Sequence, residues 1–323
     1  MLLQLFVQQA FAQEVSRQHY VSAKEYIKTD SLTLALIELD IATRISPQYA
    51  EAYVLKGYIW ELKKNERRAI SEYSLAIAQN PNFTQAYLKR AALHFNLKDH
   101  RDYVLNDINK AILLNPQDAD LYALKAYYYA HTLSPLSLKP DYPNAINTIS
   151  TAIYMNPNKA NYLKVRSEYE FKMEQKLSAL ADISLAIEKD DTNDSYYHFR
   201  GVIKFTMNDY RSALNDLSIA ISLNNTSYIY YQLRGNVYYN LAKYDNAYND
   251  YTTTINLLFK QIANTNKRIM SENPLNVDLR QTLVLRGMAL VQENKPYDGC
   301  DDFKRAVRMG DSRASNYMRQ YCQ

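Results

Sequence analysis

Residues 194–227 read DSYYHFRGVIKFTMNDYRSALNDLSIAISLNNTS, and residues 228–261 repeat the pattern in phase as YIYYQLRGNVYYNLAKYDNAYNDYTTTINLLFKQ. Gly201 returns as Gly235, Ala213 as Ala247, Leu217 as Tyr251 and Ala220 as Thr254. Within each copy, small, large and small residues recur at helical spacing, which describes one helix face that another helix must approach closely. A second helix-like segment precedes that face, with an aromatic (Tyr197, Tyr231) four residues before the glycine. The unit is therefore helix, turn, helix, with a period of 34 residues.

Working outward, the same unit covers most of the chain. The small residue of the first helix recurs at Ala23, Gly57, Ala91, Ala126, Ser167, Gly201, Gly235 and Gly287. The large residue of the second helix recurs at Leu39, Tyr73, Ile108, Ile149, Ile183, Leu217, Tyr251 and Phe303. Pro47, Pro81, Pro116 and Pro157 close four of the units, as proline does where a helix must stop. Eight units start near Ser16, Ala50, Thr84, Ala119, Ala160, Asp194, Tyr228 and Arg280. Two departures stand out. The fourth unit carries seven extra residues within 131–143, and about eighteen extra residues follow the seventh.

This register of small and large residues resembles the tetratricopeptide repeat family, over roughly residues 16–313. The resemblance implies an all-α protein, a right-handed α-solenoid of about eight repeats with a capping helix at the end. It places repeats one to seven in 16–279, with an insertion at 131–143 and an extended helix and linker at 260–279. Repeat eight and the cap then fill 280–323, with Ser312–Tyr321 as the last helix.

A charge column runs through the repeats. Lys56, Arg90, Lys125, Arg166, Arg200, Arg234 and Arg286 stand just before the small residue, and only Ser22 breaks the row. Glu38, Glu72, Asp107, Asp182, Asp216, Asp250 and Asp302 precede the large residue, and only Thr148 breaks that row. Antiparallel helices bring the two rows together, so these charges are expected to pair within the repeats.

Composition narrows the function. The chain has 30 Tyr but only 6 Gly in 323 residues, against a usual Gly share of about 7%. Few glycines predict few left-handed turns and exclude a glycine-rich phosphate loop. The net charge of +4 arises entirely after residue 259, a spread too thin for a nucleic-acid stripe. None of the five histidines stands in a spacing suited to a metal, and no nucleophile–base set can be read. The expectation is a non-catalytic chain without cofactor.

No run of about 18 apolar residues exists to span a membrane. Residues 1–15 are apolar apart from a few glutamines and Glu14, and Ala10-Phe-Ala12 precedes Gln13. They read either as a signal peptide cut after Ala12 or as a helix packing on the first repeat. Cys300 and Cys322 lie ten residues before and eleven after a reversal near Gly310–Asp311, so antiparallel helices set them opposite each other. A bridge there would favour an oxidising compartment, while two reduced thiols would simply pack.

The family resemblance implies that the first helices line a concave groove for a peptide or partner protein. Positions facing it are Tyr58, Phe95, Tyr127, Lys164, Phe171, His198, Phe205, Asn236 and Tyr239. Co-chaperone members grip a terminal carboxylate with Lys and then Asn one turn later. Tyr20 and Lys24 hold those places in the first repeat, so that grip is not expected. The reading is a protein-interaction scaffold, bacterial and exported to the periplasm in its sharper form, with a cytosolic adaptor or a regulatory subunit of a separate enzyme as the alternative.

Overall fold

The computed structural model describes residues 2–98, 101–133, 139–264 and 273–322. Seventeen helices and no β-strand are present among them. The chain divides into two compact units, Met1–Pro157 and Asn158–Gln323.

The first unit holds four helical pairs: α1 (Leu2–Lys28) with α2 (Leu32–Ile45), α3 (Ala50–Leu62) with α4 (Glu66–Gln79), α5 (Thr84–Asn96) with α6 (Arg101–Leu114), and α7 (Ala119–His131) with α8 (Tyr142–Met155). The second unit holds four more: α9 (Ala160–Lys172) with α10 (Lys176–Lys189), α11 (Asp194–Thr206) with α12 (Tyr210–Leu223), α13 (Tyr228–Asn240) with α14 (Tyr244–Asn264), and α15 (Pro274–Gln292) with α16 (Pro296–Arg308). The single helix α17 (Ser312–Tyr321) follows.

Residues 134–138 of the insertion and 265–272 of the linker lie outside the described residues. Leu133 and Pro140 pair across the base of the insertion. Helix α15 starts six residues before 280, because Asn273 Oδ1 accepts from the Leu275 amide and Pro274 supplies a pre-set first turn. Helix α1 runs unbroken through residues 2–15 into the first repeat.

The pairs are held by contacts too close for most side chains. A Cβ added to Gly57 would sit 2.5 Å from the Tyr73 ring, and one on Gly299 only 2.7 Å from the Gly287 carbonyl oxygen. The large residues Leu39, Tyr73, Ile108, Ile149, Ile183, Leu217, Tyr251 and Phe303 are all fully buried against these small positions.

The turns correct one expectation. Left-handed backbone is common here despite the shortage of glycine. Lys64, Lys98, Glu174, Asn208, Ala242 and Asn294 all take φ of 56–62° or close to it, between the helices of a pair. Each first helix closes with a C-terminal motif, as where the Asn65 amide donates to the Trp60 carbonyl at 2.9 Å. Those hydrogen bonds offset a left-handed cost of about 1–2 kcal/mol.

The charge column pairs within the repeats. In Arg90–Asp107, Arg166–Asp182, Arg200–Asp216, Arg234–Asp250 and Arg286–Asp302, Nε and Nη2 each donate to one carboxylate oxygen at 2.6–2.9 Å. The remaining guanidinium nitrogen reaches back one repeat, Arg90 to Ser74 at 3.0 Å and Arg286 to Thr252 at 3.2 Å. The planar fork satisfies both oxygens, which an ammonium cannot. Lys56 shows the difference: it reaches Glu72 Oε1 at 3.4 Å and Asp40 at 2.8 Å, and Glu72 Oε2 is buried without a partner. The gaps are filled unevenly. His19 takes Glu38 at 2.6 Å in place of Ser22. Lys125, facing Thr148, makes no ion pair among the described residues, and burial pulls its pKa down.

In α17, Ala314 is buried against the last pair and Tyr317 stacks on Phe303 at 5.6 Å. Cys300 and Cys322 are joined in a disulfide that closes 22 residues, a constraint worth roughly 3 kcal/mol in the chain-entropy account.

Asp216 holds a second cation, Lys204 at 2.8 Å, whereas Asp250 pairs with Arg234 alone among the described residues. Arg234→Ala should therefore cost roughly 3–5 kcal/mol, the loss expected when a buried pair is broken. Arg200→Ala should cost clearly less, in urea denaturation of both variants beside wild type. Equal losses would mean that Lys204 does not compensate.

Candidate functional site

The first helices carry the predicted groove positions, and their side chains are described unit by unit. In the first unit, Tyr58 and Tyr127 are 38% and 42% exposed, the most open of the set. Lys89 Nζ stands 5.7 Å over the Tyr58 ring and 3.7 Å from Glu61. Glu61 also accepts from the buried Tyr73 hydroxyl, and this contact together with burial pushes the Tyr73 pKa far up. Phe95 packs edge-on against Tyr128 at 5.0 Å and tilts against Tyr127 at 5.8 Å. Tyr127 in turn stacks on His131 at 4.0 Å. These aromatics form one continuous patch across α5 and α7, with phenol and imidazole groups open to water.

In the second unit the predicted positions are more enclosed. Lys164 is neutralised by Glu168 one turn later, at 2.7 Å. Phe171 meets Phe199 edge-on at 5.7 Å, and Phe205 meets Tyr210 at 5.7 Å. His198 packs on Tyr230 at 4.8 Å, and burial drives its pKa down to about 4, so the ring is neutral at pH 7. Asn236 Oδ1 accepts from the Tyr251 hydroxyl at 2.9 Å, which ties it to the packing of its own pair. Tyr239 lies 5.3 Å from Tyr244. Lys89 and Glu61, which neither repeat position nor motif marks, are the charged members that the sequence reading misses. Their signal was only that each falls within a turn of a small residue on a first helix.

The aromatic four residues before each small residue does different work. Tyr53, Tyr87, Tyr197 and Tyr231 lie under the column cations at 5.6–5.9 Å. Cation–π contact of this kind covers the charge pair from water.

Among the described residues, no group of three or more His, Cys, Asp or Glu is placed to hold a metal ion. No helix among them is long and apolar enough to cross a membrane.

Seventeen helices paired through close small-residue contacts define an all-α solenoid. In fold, the chain is a tetratricopeptide repeat protein, and solved structures of that kind superpose on it. The anaphase-promoting-complex hetero-tetramer Cut9–Hcn1 matches 94% of this chain and 55% of its own, with a TM-score of 0.54 and 12% identity. Pseudomonas aeruginosa PilF matches 70% of this chain and 99% of its own, with a TM-score of 0.52 and 14% identity. YrrB, described as a tetratricopeptide repeat protein with an unusual peptide-binding site, matches 58% of this chain and 92% of its own, with a TM-score of 0.45 and 16% identity. A UDP-N-acetylglucosamine–peptide N-acetylglucosaminyltransferase of Giardia intestinalis is 35% identical over 92 residues, which is 28% of this chain and 6% of that enzyme. No family model matches the sequence.

Beside the aromatic face of α9, Glu170 is buried next to Asp182 and Arg166. Burial and the Asp182 charge raise its pKa to about 7, against the pull of Arg166, and its Oε2 has no partner. A carboxyl whose pKa is raised on folding contributes stability while protonated. That stability is present below about pH 4.5 and lost as pH rises through about 7. Glu170→Gln should therefore stabilise the protein at pH 8 by roughly 1–3 kcal/mol and much less at pH 5. Thermal melts across pH 5–8 test this; a gain independent of pH would show that the charge is not the cause.

Proposed function

We propose that the chain is a non-catalytic scaffold that holds a peptide or partner protein against its first helices, without a cofactor. The observation that carries this is the partly exposed aromatic patch of Phe95, Tyr127 and His131, beside Tyr58 and Lys89. Rigid aromatics with a polar tip gain contact area at small entropic cost, and they dominate recognition of amphipathic segments. The paired charges leave no basic stripe of the kind that a phosphate backbone requires, so the partner proposed is protein. Tyr127→Ala with Phe171→Ala, used as bait beside wild type, should lose at least one specifically recovered protein. Equal recovery of every partner would remove the first-helix face from the reading.

We further infer that the protein works in an oxidising compartment, such as a bacterial periplasm, where it would help to organise envelope components. The Cys300–Cys322 disulfide supports this reading, since such bridges persist in oxidising surroundings and are rare in a reducing cytosol. Thiol labelling of protein taken from its native cells without reductant should find no free cysteine. Two labelled cysteines would favour instead a cytosolic adaptor, or a regulatory subunit of a separately encoded enzyme.

A further inference from the structure

The first helix differs from its counterparts. Helices α3, α5, α7, α9, α11 and α13 begin level with Ser16 in repeat register, but α1 has fourteen residues before that point. Its extra turns stand beside the α2–α3 turn, and a cavity of about 550 Å³ opens between them. That size falls within the range of ligand pockets, roughly 300–1,000 Å³. Its floor is built, since the buried Ser16 Oγ donates to the Ala12 carbonyl at 2.9 Å and lies 2.7 Å from Ser46 Oγ.

The wall has a consistent chemistry. Arg17, Gln9, Gln13, Gln48 and Tyr49 present a guanidinium, three amides and a phenol, and no carboxylate belongs to the lining. Ile45 and Pro47 supply an apolar side. Among the described residues Arg17 makes no ion pair, unlike the column arginines at 90, 166, 200, 234 and 286. A free guanidinium ringed by further donors, in a cavity with one apolar wall, complements an acceptor-rich anion on an apolar stem. The fork geometry of Arg suits a carboxylate in particular.

We propose that this cavity binds a carboxylate presented by a peptide, at a site separate from the aromatic first-helix patch. The carboxylate comes either from a chain terminus or from an acidic side chain, and the test separates the two. Three octapeptide pools carrying a neutral BODIPY label are titrated against the full chain by fluorescence anisotropy. The first has a free C-terminus and no Asp or Glu, the second an amidated C-terminus and one internal Glu, and the third an amidated C-terminus and no acid. One or both of the acid-bearing pools should bind, and which one binds names the source.

Arg17→Gln, a change at an exposed helical position, should weaken that binding roughly tenfold or more, and Gln48→Ala less. The Tyr127→Ala, Phe171→Ala double variant should bind these pools as wild type does, so failure here and failure of the first-helix reading are distinguishable. Saturation by the acid-free pool to the same extent overturns the proposal. So does the absence of binding below about 1 mM, or an Arg17→Gln variant that binds like wild type. Binding lost in the aromatic variant but kept in Arg17→Gln also overturns it.

Discussion

Everything in this protein follows from one approach distance. A helix can lie on its partner closely enough to press a tyrosine, leucine or phenylalanine ring or branch onto the neighbouring backbone only where that backbone carries glycine, alanine or serine. Gly57 under Tyr73, Gly235 under Tyr251 and Gly287 against Gly299 are the tightest of these contacts. The approach also sets the electrostatics. It brings each first-helix arginine within bidentate reach of the second-helix aspartate, and it leaves the third guanidinium nitrogen free to touch the preceding repeat. Packing within a repeat and coupling between repeats therefore share the same side chain.

The pairing of helices was legible because both of its signals are periodic. A small residue every 34 positions and a charge just before it need no knowledge of neighbours. Substitutions within that period were less legible. Ser22 gives no hint that His19, almost a turn earlier, takes Glu38, because helical side chains three and four apart share a face. Nor does the pattern show that the place four after the arginine is a lysine in one repeat and a glutamate in the next. Lys204 joins its aspartate, while Glu170 is set against a like charge. The left-handed turns were misread because glycine is the usual signal for them, and here Schellman-type hydrogen bonding holds lysine, asparagine and glutamate in that conformation.

The first-helix faces were visible as positions but not as surfaces. Register alone cannot tell Tyr127, which stays open to water, from His198, which is covered and neutral. It cannot tell a free asparagine from Asn236, already bonded to Tyr251. Thirty tyrosines thus divide among at least three tasks: filling helix interfaces, screening the charge pairs, and presenting a patch to a partner. The Arg17 cavity was invisible for a different reason. It is made by an irregularity, the added turns of α1, and a reading built on repetition overlooks what happens only once.

The disulfide has a mechanical consequence. Stacked repeats touch only their neighbours, so an array of this kind comes apart from its ends. The final helix α17 is short and would peel away first under tension. With Cys322 bonded to Cys300, a pull applied beyond residue 322 passes through sulfur directly to α16, and α17 carries almost none of the load. The weakest-packed element of the second unit is thereby bypassed, and force meets the buried contact of Gly287, Gly299 and Phe303 instead.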